Sequence, residues 1–278
     1  MTYVDGKKIR DEIGETLKEG FLKVGDKKVL SIIYAGTSPV IDSFVALKKK
    51  FGETVGVDVV VHRFDEEIEE GELLDSITRI QKESDGVVVQ LPLPEYLDQG
   101  AVLSVLDSSK DIDLLGVETL KKFLNKETKM TPPGVGAIDE IFRSYSIILK
   151  NYRIAVVGRG KLVGKPVAVW LMRECVMPIV VGEGDDLASS LLEADIVISG
   201  VGSPGLIKPE MLKDGVVLID VGTSESGGTI MGDIDKSCGE KASLFSSVPG
   251  GVGPMTISVL LQNTVRSFET KMGLHPAP

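Results

Sequence analysis

Of the 278 residues, 42% are hydrophobic and 26% charged, the balance of a soluble globular chain with room for about two domains. A net charge of −10 and a pI near 4.9 argue against nucleic acid or an anionic membrane as the main partner. The charged start, Met1 to Gly14, carries no signal peptide, no apolar run is long enough to span a bilayer, and Cys175 and Cys238 fit a reducing compartment, so a cytoplasmic location is expected.

Lys7 to Glu19 has the pattern of a charged amphipathic helix. Val29 to Ala35 is an apolar strand, and Ser38-Pro39 opens a helix, with serine as N-cap and proline at the first helical position. Val57 to Val61 follows as a strand, Glu72 to Gln81 as a helix and Gly86 to Gln90 as a buried strand, the βαβ rhythm of a parallel sheet. Between about Asp107 and Pro133 the rhythm stops, which reads as a domain junction. It resumes with strands at Ile154–Val157, Ile179–Val181, Ile196–Ser199 and Val216–Val221 and helices at Val163–Arg173 and Asp186–Leu192. Ser226-Gly227-Gly228 reads as a turn between short strands. Met255 to Met272 spaces Ile257, Leu260, Leu261, Val265 and Phe268 as a long final helix, and the tail Leu274 to Pro278 is expected to be disordered. Two α/β domains with a cleft between them are the expected architecture.

The strand Ile154–Val157 runs into Gly158, Gly160 and Gly164 and then into a helix. Glycines at such a turn let the backbone approach a phosphate, and a helix N-terminus presents free N–H groups. Three residues rather than two separate the last pair of glycines, so this stretch alone fits a phosphate cradle and a plain tight turn about equally. At the next strand end, Glu183 is placed to bind the ribose 2′-hydroxyl of NAD and to repel the 2′-phosphate of NADP, while Arg159 and Lys161 in the turn favour that phosphate. Asp185 and Asp186 also fit an N-cap of the following helix.

Lys48 lies in the apolar stripe Ile41, Phe44, Val45, Phe51 and Val55 of its helix. Such a lysine either snorkels outwards or faces a pocket, where desolvation makes it a usable general acid or base. Gln90 ends a strand where ligands of parallel sheets bind, and it fits a loop-capping amide as well. Asp111 and Asp113 share a face if extended, either as a ligand-binding pair or as solvated loop residues. Ser247 to Thr256 is too rich in glycine and proline for regular structure and fits a ligand-lining or rigid interdomain loop. With only His62 and His275, no metal site is expected.

Taken together, these pieces resemble the methylenetetrahydrofolate dehydrogenase/cyclohydrolase family over nearly the full length. The residues carrying it are Phe44-Val45-Ala46-Leu47-Lys48, Val89-Gln90-Leu91-Pro92-Leu93-Pro94, Lys110-Asp111-Ile112-Asp113, Thr131-Pro132-Pro133-Gly134, Val157 to Pro166, Ile219-Asp220-Val221-Gly222, Gly232-Asp233-Ile234-Asp235 and Val248 to Thr256. The resemblance implies a folate-binding catalytic domain of residues 1–120 plus 254–278 and a Rossmann-type NAD(P)-binding domain of 121–253. It implies oxidation of 5,10-methylenetetrahydrofolate with NADP, NAD being the alternative, and hydrolysis of the methenyl product to 10-formyltetrahydrofolate. Lys48 is then the acid/base group, Gln90 positions it and the folate, and Asp113 binds the pterin end. Phe44, Pro249, Gly250 and Gly251 also line the folate, and the dinucleotide sits on Gly158, Arg159, Gly160, Lys161 and Gly164, near Glu183 and Thr223. A homodimer is expected, with the final helix folded back on the N-terminal domain.

This chain departs from the family pattern at four places. Phe44 replaces the usual Tyr and keeps its stacking surface without the hydroxyl. Gly160 replaces a Ser, Leu114 replaces the glycine that usually follows the aspartate, and Glu183 replaces a small polar residue. A dehydrogenase with weak cyclohydrolase activity and a non-catalytic dinucleotide- or folate-binding regulator are the rival readings; retention of Lys48, Gln90 and Asp113 together argues against the second.

Overall fold

The computed structural model describes residues 1–24, 28–226 and 229–271. Its contacts divide the chain into two units, Met1–Asp11 with Pro133–Thr256, and Glu12–Pro132 with Ile257–Pro278. Thr2–Tyr3 (β1) and Gly6–Val24 (α1) open the chain.

The unit built on Glu12–Pro132 holds a parallel sheet of Lys28–Ala35 (β2), Val57–Phe64 (β3) and Gly86–Val89 (β4) in the order β3-β2-β4. Leu30, Ile32, Ile33 and Tyr34 of the central strand are wholly buried, which is why its sequence is apolar without alternation. Pro39–Val55 (α2) starts as its sequence predicts: Ser38 is the N-cap, and Gly56 ends the helix in the left-handed region at φ 89°. Gly52 lets α2 lie close on the sheet, since a Cβ there would stand 2.5 Å from Val59. Glu70–Ile80 (α3) connects β3 to β4.

The stretch expected as a junction instead carries structure. After Gln99–Ser104 (α4) comes Val117–Leu124 (α5), with Phe123 buried. Residues 121–132 therefore stay with this unit, and the division by contacts falls between Pro132 and Pro133 rather than after 120.

In the other unit, Pro133–Ser144 (α6) precedes Ile154–Val157 (β5), Gly164–Arg173 (α7), Ile179–Val181 (β6), Leu187–Leu192 (α8) and Ile196–Ser199 (β7). Val216–Asp220 (β8), Ser224–Ser226 (β9), Thr229–Met231 (β10) and Ala242–Ser246 (β11) follow. Six strands form one parallel sheet in the order β1-β11-β8-β7-β5-β6. The chain moves from β5 outwards to β6 and returns to β7 on the other side, so the strand order reverses at β5. In doubly wound sheets that switch point opens a crevice at the carboxyl ends of the strands. The strands β9 and β10 pair as expected, while Gly227 and Gly228 of their turn lie outside the described residues.

The final helix, Val252–Lys271 (α9), begins earlier than its glycines and prolines suggest. Val252 to Thr256 is helical rather than irregular, because Pro254 in the first turn needs no N–H partner. From Ile257 onward the helix belongs to the unit of β2–β4. There the Asn263 amide donates to the carbonyls of Ile112 and Thr131, both at 2.8 Å, and accepts the Thr131 N–H at 3.1 Å. All three bonds satisfy a wholly buried amide, which would otherwise cost about 1–3 kcal/mol. The tail 274–278 lies outside the described residues.

Candidate active site

Lys48 sits in the third turn of α2, and Gln90 is the first residue beyond β4. The backbone N–H of Gln90 donates to the Ile33 carbonyl at 2.8 Å, which fixes the residue at the carboxyl ends of β2 and β4. Its side-chain Oε1 accepts a hydrogen bond from Lys48 Nζ at 2.8 Å, and its Nε2 donates to the Leu91 carbonyl at 3.0 Å. The two sequence readings of Lys48 thus resolve: the amine turns to the strand ends and does not snorkel away. Burial lowers the Lys48 pKa below the ordinary lysine value, against the opposing pull of the Asp113 carboxylate. Burial likewise pushes the Asp113 carboxyl up to about 6, opposed by Lys48 and reinforced by Asp111. A lysine, an amide and a carboxylate of shifted pKa at the ends of parallel strands can move a proton and hold a polar ligand.

Asp111 and Asp113 do not form the extended pair that their spacing suggested. The chain turns after Asp111, and Leu114 adopts φ 55°, the left-handed region that favours glycine. Asp111 is buried and accepts the N–H groups of Gly116 at 2.7 Å and Leu115 at 3.3 Å, so it builds the turn that delivers Asp113. Phe44 precedes Lys48 by one turn on the same side of α2 and is 37% exposed.

In the glycine-turn unit, Gly158 has φ 105°, and a Cβ on Gly164 would stand 2.0 Å from the Gly158 carbonyl. Both positions therefore require glycine. Gly160 has free space around its Cβ position and carries no such requirement. The N-terminus of α7 has no side-chain cap, but the Lys165 N–H donates to the Gly160 carbonyl at 2.9 Å and Pro166 has no N–H, so of its first turn only the Gly164 N–H could serve an anion. At the switch point lies a cavity of about 650 Å³, lined by residues following β5 (Gly158, Arg159), β6 (Gly182 to Asp185) and β7 (Val201, Ser203). These features fit a dinucleotide. Lys161 is exposed and outside that lining, and Thr223 is exposed beyond β8.

Glu183 lines the cavity, but the Arg159 guanidinium pairs with Asp185 instead, at 2.6 Å. Asp186 alone takes the N-cap of α8, accepting the Ser189 N–H at 3.1 Å. Pro249, Gly250 and Gly251 form the loop before α9, where the Gly6 N–H donates to the Gly250 carbonyl at 3.0 Å and Gly250 has φ 109°. They belong to the glycine-turn unit, whereas Phe44, Lys48, Gln90 and Asp113 belong to the other.

Sequence reasoning gave no role to Asp220 or Asp233, although both stand in motifs it singled out. Asp233 accepts the N–H groups of Val201, Gly202 and Ser203 at 2.7–2.9 Å and the Ser199 hydroxyl at 2.8 Å, and so shapes the loop lining the cavity. Asp220 accepts from Gly222, Asp233 and Ile234, and burial pushes its carboxyl up to about 7. The signal was the glycine beside each: Cβ atoms on Gly222 and Gly232 would strike Asp233 and Asp220 at 2.2 and 2.0 Å.

A doubly wound unit with its cavity at the switch point, joined to a second parallel unit that presents an activated lysine, defines a dinucleotide-dependent enzyme of the two-domain α/β class. The tetrahydrofolate dehydrogenase/cyclohydrolase catalytic domain matches residues 4–113, and the NAD(P)-binding domain of the same family matches residues 130–272. The chain belongs to the tetrahydrofolate dehydrogenase/cyclohydrolase family. It is 38% identical to the bifunctional protein FolD of Nautilia profundicola, covering 96% of this chain and 97% of that one. Among solved structures, the FolD dehydrogenase/cyclohydrolase of Campylobacter jejuni is 33% identical with a TM-score of 0.92, covering 98% and 99% of the two chains. The Trypanosoma brucei enzyme, solved with NADP and an inhibitor, is 30% identical with the same TM-score and covers 98% of both chains.

Proposed function

We propose that the protein is a bifunctional folate enzyme that oxidises 5,10-methylenetetrahydrofolate with NADP and hydrolyses the methenyl product to 10-formyltetrahydrofolate. The observation that carries it is the 2.8 Å bond from Lys48 to Gln90, with the Asp113 carboxyl raised to about 6 by burial, in a chain that matches the family over residues 4–113 and 130–272. Gly158, Arg159, Gly160 and Gly164 would hold NADP, which would supply the hydride acceptor. In the hydrolytic step Lys48 accepts a proton from the attacking water as the carbon–oxygen bond forms, and N5 takes the other as the carbon–N5 bond breaks. Its lowered pKa leaves more of the amine free to do so near neutrality. Gln90 fixes the amine through Oε1, and Asp113 receives the N–H groups of the pterin. Phe44, one helical turn from Lys48, offers a ring face to the folate, and Pro249 to Gly251 line it. The expected setting is a cytoplasmic homodimer.

Lys48→Met keeps the side-chain volume and removes the amine. Methenyltetrahydrofolate hydrolysis, followed by absorbance, should fall at least about a hundredfold while the circular dichroism spectrum is kept. Hydrolysis near the parent rate would remove Lys48 from the mechanism. Phe44 favours a second reading, in which hydrolysis is weak relative to hydride transfer.

A further inference from the structure

We propose that Asp185, rather than Glu183, sets how strongly this protein prefers a 2′-phosphorylated dinucleotide; the inference rests on the dinucleotide reading above. Arg159 is the one cation among the described residues lining the switch-point cavity, where Glu183 and Asp185 are the acids. Its guanidinium is held on two sides. Asp185 Oδ2 accepts from its Nη2 at 2.6 Å, and the same oxygen accepts the Gly182 N–H at 2.8 Å. Against its face lies Gly182, where a Cβ would stand 2.6–2.8 Å from Nη1, Cζ and Nε, so only glycine leaves the guanidinium this seat.

The consequence for a ligand follows from charge. A guanidinium recognises phosphate through the edge that carries its N–H donors. Part of that edge is already given to a carboxylate. A 2′-phosphate arriving there must share Arg159 with Asp185 at close range or displace it, and either course sets two anions against each other. A 2′-hydroxyl carries no charge and meets no such opposition; the Asp185 carboxylate can even accept its hydrogen bond. Asp185 thus lowers the advantage that Arg159 would otherwise give to NADP over NAD. It acts through a second residue's charge, which is why an acid at the strand end was a poor guide to which acid matters. Among the described residues Arg159 pairs with Asp185 and not with Glu183, so Glu183 lacks the same leverage.

The test compares adenosine 2′,5′-bisphosphate with 5′-AMP by equilibrium titration of the full-length protein. Asp185→Asn keeps an oxygen for the Gly182 N–H and removes the charge, and Asp185→Ser is a second variant with a short acceptor. Each should raise the affinity ratio of bisphosphate over monophosphate about five- to tenfold, the size of a close like-charge contact near a protein surface. The gain should vanish in an Arg159→Ala background, and Glu183→Gln should move the ratio less than twofold. The kcat/KM ratio of NADP to NAD should shift with it, through KM. An unchanged ratio in both Asp185 variants, or a gain that survives without Arg159, would overturn the proposal. If neither nucleotide binds the parent protein, the dinucleotide reading falls, and Asp185's role falls with it.

Discussion

At the scale of single residues, Phe44 and Asp113 make the sharpest claims. A phenol beside Lys48 can hydrogen-bond the amine or a water, whereas Phe44 offers only a ring. One hydrogen bond to a charged group is worth about 1.5–3 kcal/mol, or about one to two powers of ten in rate if it acts fully in the transition state. Phe44→Tyr should therefore raise methenyltetrahydrofolate hydrolysis about tenfold and hydride transfer less. Equal or absent gains would mean that the site has adapted to the phenylalanine. Asp113 makes a claim about stability. Its carboxyl is raised from 3.8 to about 6 in the folded protein. Such a group contributes stability that is full below its unfolded value and lost as pH rises through about 6. Asp113→Asn never ionises, so in urea unfolding it should gain about 1–2 kcal/mol over the parent at pH 7 and nothing near pH 4. The figure allows for the residue's partial exposure, and an equal effect at both pH values would refute it. The same variant should bind folate poorly, because the charge that costs stability is the one that receives the pterin.

At the scale of elements, the glycine turn gives the cleanest test. A methyl group on Gly164 has no room, since the Gly158 carbonyl stands 2.0 Å from its position and, being backbone, cannot swing aside. Gly164→Ala must shift the turn away from α7, at a cost of about 1–3 kcal/mol. Hydride transfer should drop at least tenfold, while methenyl hydrolysis, whose Lys48, Gln90 and Asp113 lie in the other unit, stays within about threefold of the parent. Parallel loss of both rates would show that the turn supports more than the dinucleotide. This turn was legible in the sequence because β-branched Ile154–Val157 and three glycines leave few alternatives. By contrast α5 (VETLKKFL) is only eight residues long, and its apolar positions do not outvote its charges until Phe123 is seen buried. Lys48 and Gln90 could be placed on their elements from sequence, but their hydrogen bond spans 42 positions and depends on the fold. The Arg159–Asp185 pair was beyond reach for the same reason, and the positive φ of Leu114 was hinted at only by the glycine that the family usually has at that position.

For the whole molecule, the homodimer is checked by analytical ultracentrifugation: the expected mass is twice 29.8 kDa, and a monomer at micromolar concentration would remove it. A different property follows from the edge of the six-stranded sheet, where Thr2 and Tyr3 pair in parallel with Leu244 and Phe245. Thr2 and Tyr3 leave the ribosome long before Leu244 and Phe245, with which they complete that edge. The final helix, needed by the other unit, emerges later still. Neither unit is one contiguous piece of gene, so a cut at Pro132 would leave β1 and α9 each on the wrong fragment. The two activities are expected to separate by point substitution, and not by truncation.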